Sequence, residues 1–380
     1  DVNGDSIPLH SVVPPHDVKC FTEYLRADGY YCTNNSKTDY QFAAPVTAWD
    51  QNSNKAHWRN RERNQPFFSV FNFDVTHESK MWLHRDKPLT VKPSEVPLPS
   101  YFPDTKTVRN DVARNYSNIE LLDMMVGNLI QELKDDGLFD NTYIFFFSDH
   151  GGPLPRGKRS HYESGLKVPM IIRDPYEKTI RYVHDQVSFV DLAPTILSLS
   201  GINIPDHFQG RAFMGDKKNG ILRDYIFGSG DRFDETYDRV RSVISKKFIY
   251  VRNYHIDRPA YKDVLYRKNI DMTDEMLELY KEDKLNSDQK YWYRESKTKE
   301  EFYLRLDDPH SLKNLISDKR YDNEIKRHRL ALRNWQDEIN DIGSKPEKKY
   351  LDNMWPKGVQ PKSKEPDVIV EDKIVTIKSN

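Results

Sequence analysis

The sequence predicts an α/β fold, with a mostly parallel central sheet sandwiched by helices and a smaller C-terminal α+β subdomain. An uninterrupted apolar run, Tyr143 to Phe147, is typical of a strand that is buried on both faces. The preceding stretch, Asn110 to Asp136, has apolar residues at three- and four-residue intervals and ends at Gly137, which predicts a long amphipathic helix. From about Asp238 short alternating segments predict an antiparallel sheet.

The remaining elements follow from local signals taken in chain order. Asp17 is a predicted N-cap of a helix that runs to Ala27, and Gly29 ends it before a strand at Tyr30 to Asn34. A second helix is predicted at Val190 to Ser200 and a third, covering helix at Tyr321 to Asn340. Further strands are predicted at Phe67 to Phe73, Val168 to Ile172, Val240 to Ser245, Phe248 to Asn253, Phe302 to Leu306 and, as two short strands, Asp367 to Ser379.

These elements predict three segments. An α/β core covers residues 1–237, the α+β subdomain covers residues 238–348, and a linker with a short β tail covers residues 349–380. With 380 residues, of which 37% are hydrophobic, the chain has enough apolar material for a large core and a smaller domain.

Charge and hydropathy exclude some classes of protein. The 58 basic and 59 acidic residues give a net charge of −1, so no overall field favours nucleic acid. No run reaches the ~20 apolar residues of a membrane span. Cys20 and Cys32 leave two alternatives open, a disulfide or free thiols. The oligomeric state is not predicted.

Polar residues follow the apolar run at Tyr143 to Phe147 directly. The strand ends in Ser148-Asp149-His150-Gly151-Gly152, and open α/β sheets keep their chemistry at the carboxyl ends of strands. The same loop then carries three cations, Arg156, Lys158 and Arg159. The sequence therefore predicts a site in which a metal-binding pair lies beside anion-binding cations.

The loop and three other segments closely resemble the sulfatases of the alkaline phosphatase superfamily, bacterial polysaccharide sulfatases above all. In the loop, Ser-Asp-His-Gly is followed by a lysine, Tyr-Glu-x-Gly and Val-Pro. The other similar segments are Lys19 to Phe42, Pro66 to Ser79 with its Thr-His pair, and Leu304 to Leu315 with Asp-Asp-Pro-His before Asn-Leu. The resemblance implies a sulfuric ester hydrolase that acts on a sulfated carbohydrate.

The resemblance also implies roles for individual residues. It assigns Asp149 and His150 to a divalent metal, Ca²⁺ with Mg²⁺ as the alternative. Relatives commonly have Asn at the second position, so His150 either binds the metal or orients a ligand. Lys158 and Lys37 are assigned to the sulfate oxygens, and His77 is assigned to protonation of the leaving alcohol.

Substrate binding is predicted for Arg156, Arg232 and Asp39. Asp39 stands where relatives have a histidine after the lysine that matches Lys37. Arg156 is predicted to contact substrate from the loop. Arg232 is predicted to hold a uronate or a second sulfate, with a solvent-facing turn as the alternative.

One part of the family pattern is missing from the sequence. Sulfatases carry a Cys-x-Pro-x-Arg or Ser-x-Pro-x-Arg signature whose first residue becomes formylglycine, the nucleophile, and neither Cys20 nor Cys32 has proline and arginine at those offsets. The resemblance therefore predicts formylglycine from a Cys or Ser upstream of residue 1, and an extracytoplasmic location. Two alternatives remain, a phosphoester or phosphonate hydrolase of the same superfamily and a non-catalytic sulfatase-like fragment.

Overall fold

A computed structural model describes residues 6–360 except 8, 13 and 16, together with the strands 367–371 and 374–378. Its strands are β1 Tyr31–Asn35, β2 Gln51–Asn52, β3 Phe67–Phe71, β4 Ile144–Phe147, β5 Met170–Arg173, β6 Ile226–Phe233, β7 Thr236–Ile244, β8 Phe248–Asn253, β9 Glu300–Leu304, β10 Asp367–Glu371 and β11 Ile374–Lys378. Its α-helices are α1 Phe21–Ala27, α2 Lys80–Leu83, α3 Lys106–Asp135, α4 Glu163–Leu166, α5 Leu192–Leu199, α6 Asp271–Lys281, α7 Ser287–Lys290, α8 Asp322–Glu338 and α9 Glu347–Met354.

The N-terminal sheet is parallel, with strand order β2-β1-β3. Helix α1 packs beside it and ends before Gly29, whose φ of +89° suits glycine. The helix begins later than predicted, because its N-cap is Cys20 and not Asp17. The Cys20 N–H donates to the Glu23 carboxylate at 2.7 Å, which satisfies a backbone donor at the helix start.

Helix α3 confirms the predicted long helix, and Gly137 follows its end with a φ of +68°. The predicted apolar face is only partly buried. Val112 is buried, whereas Tyr116 and Ile119 are exposed. The buried side of the helix carries smaller and polar residues instead, such as Ser117, which accepts backbone N–H groups of residues 90 and 91. Helices α2 and α6 pack on this side.

Strand β4 differs from its prediction. It pairs with β5 and runs antiparallel to it, and Phe147 at its end is exposed, so β4 is not a strand buried on both faces. The loop between the two strands folds back on itself, since the Gly151 N–H donates to Gly165 O at 2.9 Å. The loop therefore brings the start of β5 beside the end of β4, so the two strands run in opposite directions.

The four-stranded sheet is antiparallel, with strand order β6-β7-β8-β9. Helix α8 covers it, and Ile325 and Leu332 of the helix share a buried core with Val243 and Phe302. Strand β6 was not predicted. Strand β6 begins at Ile226, so the antiparallel sheet starts before the predicted boundary between residues 237 and 238. Helix α9 crosses the predicted boundary between residues 348 and 349.

The mixed architecture confirms the predicted α/β fold class with a C-terminal α+β region. The division into three segments stays a prediction. The two short strands predicted at the C-terminus are present as the antiparallel pair β10 and β11. None of the helices in the described part of the chain combines the length and apolar character needed to cross a membrane.

Candidate active site

Strands β1 and β3 bring two predicted site residues to one edge of the parallel sheet. Their register pairs Asn35 with Phe71, so both strands end at the same edge. The buried Asn34 side chain donates to Lys37 O at 2.9 Å and accepts from Asn72 Nδ2 at 2.9 Å. Asn34 thus joins the two strand ends and holds the backbone that carries Lys37.

His77 lies in the turn that follows β3. Its backbone N–H donates to Asp74 O at 2.9 Å, and its Nδ1 accepts the Ser79 backbone N–H at 3.2 Å. Because Nδ1 accepts this hydrogen bond, the neutral ring carries its proton on Nε2. Ser79 therefore holds the Nδ1 side of the ring, and Nε2 is the nitrogen that can exchange a proton with a leaving group.

The loop after β4 is compact because two of its glycines leave no room for a side chain. A Cβ on Gly151 would lie 1.9 Å from Ser164 O, and a Cβ on Gly157 would lie 2.1 Å from Gly152 O. The Lys158 N–H donates across the loop to Gly152 O at 2.8 Å. Glycine at these positions thus allows the loop to hold Lys158 close to the end of β4.

Asp149 and His150 lie beside Lys37. Asp149 Oδ2 is 4.0 Å from Lys37 Nζ and 3.6 Å from His150 Nε2. His150 Nδ1 donates to Gly151 O at 2.8 Å, since a carbonyl only accepts, so the neutral ring has its lone pair on Nε2. His150 and His77 therefore have opposite tautomers. Asp39 Oδ2 lies 3.4 Å from Lys37 Nζ, at the exposed side of the same group.

The donors of Asp149 and His150 fit part of a metal site. An exposed carboxylate and an imidazole with its Nε2 lone pair free of a proton are both metal ligands. Within the described ranges no group of three or more His, Cys, Asp or Glu side chains could hold an ion. Ca²⁺ takes 6–8 oxygen ligands, so this pair alone does not complete a calcium site.

Electrostatic coupling joins Lys37, His77, Asp149 and Lys158, which we call the site cluster. Burial lowers the pKa of His77, and the ammonium groups of Lys158 and Lys37 lower it further. Burial also lowers the pKa of Lys158, against the opposing effect of Glu78 and Asp149. The sequence predicted these four residues from three segments, and the structure brings them together.

A buried ion pair next to the site cluster was not predicted. Arg159 Nη1 donates to both carboxylate oxygens of Glu78, at 2.9 and 2.8 Å, and the Glu78 side chain has no exposed surface. Glu78 follows His77 and Arg159 follows Lys158 in the sequence, so the Glu78–Arg159 pair links two of the predicted catalytic residues. That adjacency is the signal that could have indicated the pair.

A second arginine fixes the backbone of Lys158. Arg267 Nη2 donates to Lys158 O at 2.7 Å, and Arg267 Nε lies 3.9 Å from Glu78 Oε1. Arg267 is buried and comes from the C-terminal region. Through this hydrogen bond the C-terminal region fixes the loop that carries Lys158.

Arg156 lies in the interior of the protein and not at the site cluster. The side chain is 2% exposed, its Nη2 donates to His310 O at 2.8 Å, and its guanidinium packs against the rings of Tyr101 and Tyr162. A positive φ of 64° at this residue helps to turn the side chain inward. The structure thus contradicts a direct substrate contact at the site cluster, because Arg156 faces the interior.

Arg232 also differs from its prediction. It belongs to strand β6 and not to a turn. Its Nη2 donates to Glu347 Oε1 of α9 at 2.7 Å. The structure does not bring it to the site cluster, and this ion pair offers a structural role in place of the predicted substrate contact.

Comparisons with known proteins agree with this fold. The sulfatase family model matches residues 50–202, and that of the N-sulphoglucosamine sulphohydrolase C-terminal region matches residues 156–289. An ulvan-active sulfatase from Formosa agariphila is 41% identical over 98% of this chain and 68% of its own length. Human N-sulphoglucosamine sulphohydrolase is 30% identical over 67% of this chain and 53% of its own length. The chain belongs to the sulfatase family.

Solved structures share the fold at low sequence identity. One, determined in complex with its substrate D-glucosamine-2-N,6-O-disulfate, has a TM-score of 0.57 at 16% identity and covers 87% of this chain and 84% of its own. The phosphonate monoester hydrolase of Agrobacterium radiobacter has a TM-score of 0.53 at 14% identity, covering 83% and 79%. Both show the fold alone.

Proposed function

We propose that the protein is a sulfuric ester hydrolase that removes sulfate from a sulfated carbohydrate. The observation that carries the proposal is the site cluster, in which two ammonium groups, an imidazole and a carboxylate meet at the strand ends of a chain of the sulfatase family. The ulvan-active relative supports a polysaccharide or its oligosaccharides as the substrate class. The sulfatase family also supports an extracytoplasmic location.

In this mechanism Lys158 and Lys37 bind the oxygens of the sulfo group. Negative charge builds up on those oxygens in the transition state, and fixed cations in a partly water-excluded site stabilise it. Lys158 is the stronger contributor, because its carbonyl and its N–H are both held by hydrogen bonds. Lys37 is more exposed and already lies near Asp39 and Asp149.

His77 protonates the leaving alcohol from Nε2. In the imidazolium form both ring nitrogens carry a proton; Ser79 Oγ, 2.9 Å from Nδ1, can accept the Nδ1 proton, and Nε2 carries the proton that is transferred. Since burial and the two ammonium groups lower the pKa of His77, the imidazolium form gives its proton up readily.

A divalent ion, Ca²⁺ with Mg²⁺ as the alternative, would be held by Asp149 and His150 together with ligands from outside the described residues. Such an ion supplies Lewis acidity to the sulfate oxygens. Asp39 is proposed to contact the carbohydrate at the exposed side of the site cluster, where it lies beside Lys37.

The nucleophile is proposed to be a formylglycine made from a Cys or Ser outside the printed sequence. Cys20 and Cys32 are free thiols, but neither lies in the signature, so neither suits this role. Burial raises the pKa of Cys32 to about 12, so its thiolate is scarce at neutral pH.

The test measures sulfate release by the longer protein that includes the signature segment. The substrates are ulvan oligosaccharides and D-glucosamine-2-N,6-O-disulfate, and the protein with Ala at the signature Cys or Ser is the control. We expect sulfate release from at least one sulfated carbohydrate and none from the control. Absence of release from every sulfated carbohydrate, with release of phosphate from phosphate monoesters, would establish the phosphoester alternative instead.

A further inference from the structure

A cavity of about 50 Å³ lies behind the loop that carries Lys158. Its wall comes from the loop, the antiparallel sheet and the segment around Trp292. Of the site cluster only Lys158 lines it, so the cavity is distinct from the face where Lys37 and Asp149 meet. The cationic residues of its lining are Arg156, Lys158, Arg159, Lys262, Arg267, Arg294 and Lys297.

Carboxylates neutralise only part of this positive charge. Glu301 accepts from Arg294 at 2.6 Å, and Asp238 accepts from Lys297 at 2.6 Å and pairs with Lys262 at 3.0 Å. Glu78 and Asp234 are both engaged by Arg159, so Arg267 has only the longer 3.9 Å approach to Glu78. Each of these carboxylates is therefore already paired with an arginine or lysine side chain.

Arg156 and Lys158 have no carboxylate partner within 4.0 Å among the residues that the structure describes. For Arg156 this is energetically important, because an arginine stays protonated even when it is buried. An uncompensated buried charge is strongly unfavourable. The rings of Tyr101 and Tyr162 stabilise its guanidinium only through their π faces.

Several buried donors that line the cavity lack a hydrogen-bond partner. They are Nε and Nη1 of Arg156, Nε of Arg267 and Nδ1 of His161, and all three side chains are more than nine-tenths buried. Burial lowers the pKa of His161 to about 3, so this ring is neutral and can still donate one N–H. Buried polar groups are almost always satisfied in native proteins, so these donors point to an occupant that accepts hydrogen bonds.

We propose that the cavity binds one small monovalent inorganic anion, of the chloride type, held by Arg156 with Arg267 and His161. About 10–15 Å³ of such space holds one water molecule, so the cavity accommodates a single ion with a few waters and not a carbohydrate sulfate. The anion supplies the counter-charge that none of the described carboxylates provides to the Arg156 guanidinium. It also fixes the segment between Arg156 and His161, which carries Lys158.

The experiment uses bromide and chloride as probes on the unmodified protein. Crystals grown in bromide are measured at the bromine absorption edge. Melting temperatures are recorded in chloride and in gluconate, an anion too large for the cavity, at equal ionic strength. We expect an anomalous peak within hydrogen-bond distance of Arg156, and a saturating rise in melting temperature on the order of 2–5 °C that is specific to chloride. A cavity that holds only water, with identical melting in both salts, would overturn the proposal.

Variants add an independent comparison. Arg156→Met removes the charge and the donors and keeps the length of the side chain, and we expect it to lose the chloride-dependent rise. Arg232→Met is the matched control, since Arg232 pairs with Glu347 outside the cavity lining; it should keep the full chloride response. A folded Arg156→Met protein with the wild-type response would contradict the proposal. If that variant does not fold, the bromide map of the unmodified protein decides.

Discussion

Replacement of Glu78 by Ala tests whether the Glu78–Arg159 pair holds the site together. Glu78 has no exposed side-chain surface and accepts two hydrogen bonds from Arg159, whose side chain is 9% exposed. Removing one partner of a buried ion pair costs about 3–5 kcal/mol, because the other charge stays buried without compensation. Asp234 still pairs with Arg159 in the variant, so we expect a loss near the lower limit, about 3 kcal/mol.

The assay is equilibrium unfolding in urea at 25 °C, supported by thermal melting. A loss of about 3 kcal/mol corresponds to a fall of roughly 3–5 °C in Tm for a chain of 380 residues, because the unfolding entropy is about 2.1 cal/mol/K per residue. Asp74→Ala is the matched control, because the Asp74–Lys80 pair lies on the surface with Asp74 77% exposed, and such pairs contribute about 0–1 kcal/mol. A loss in the Glu78→Ala variant no larger than in the control would refute the reasoning.

Three further predictions concern the proposed longer protein that includes the signature segment. Lys158→Ala should lower kcat by about 10²–10³, the scale of losing one transition-state donor, measured on an aryl sulfate. His77→Ala should slow sulfate esters with poor leaving groups far more than nitrophenyl sulfate, because only the former need a proton. The pKa of His77 should rise in Lys158→Met, since the ammonium of Lys158 lowers it; NMR titration of the metal-free protein measures this change.

Each of these predictions has a definite contrary result. An unchanged kcat in Lys158→Ala would remove this lysine from the chemistry, and equal slowing of all leaving groups in His77→Ala would indicate a structural role. The pH dependence follows from the same pKa. Burial and the lysines place the pKa of His77 below its usual 6.5, so the reactive imidazolium is lost as pH rises through that lowered value. A kcat/KM for poor leaving groups that falls only above pH 6.5 would contradict this assignment.

The sequence predicted the places of site residues where these follow directly from the end of a strand. Lys37, His77 and Asp149 each follow a strand, and strand ends place polar residues at the edge of a sheet. In the structure these residues lie near Lys158. Long helix α3 and its end at Gly137 were also predictable, because its periodicity and its C-terminal glycine are local signals.

Side-chain direction could not be predicted from the sequence in the same way. Arg156 and Lys158 stand two residues apart in one loop, yet one faces the interior and the other the site cluster. Arg156 and Arg159 both have a positive φ in this loop, and no residue-type pattern indicates a positive φ at an arginine.

Strand β6 was missed for a different reason. It contains Gly228, Ser229 and Gly230, which have low β-propensity. Its pairing with β7 and the close packing of Gly228 against Ser242 and Leu166 make the small residues necessary. Tertiary packing therefore overrides the local preference in this strand.

The central claim is that the site cluster hydrolyses sulfate esters, and one ratio tests it most directly. That ratio is the kcat/KM of the longer protein for 4-nitrophenyl sulfate divided by its kcat/KM for 4-nitrophenyl phosphate, measured with Ca²⁺ present. A ratio well above one, lost when Lys158 is replaced by Ala, is the result we predict. A ratio below one would contradict the claim and make the protein a phosphoester hydrolase built on the sulfatase fold.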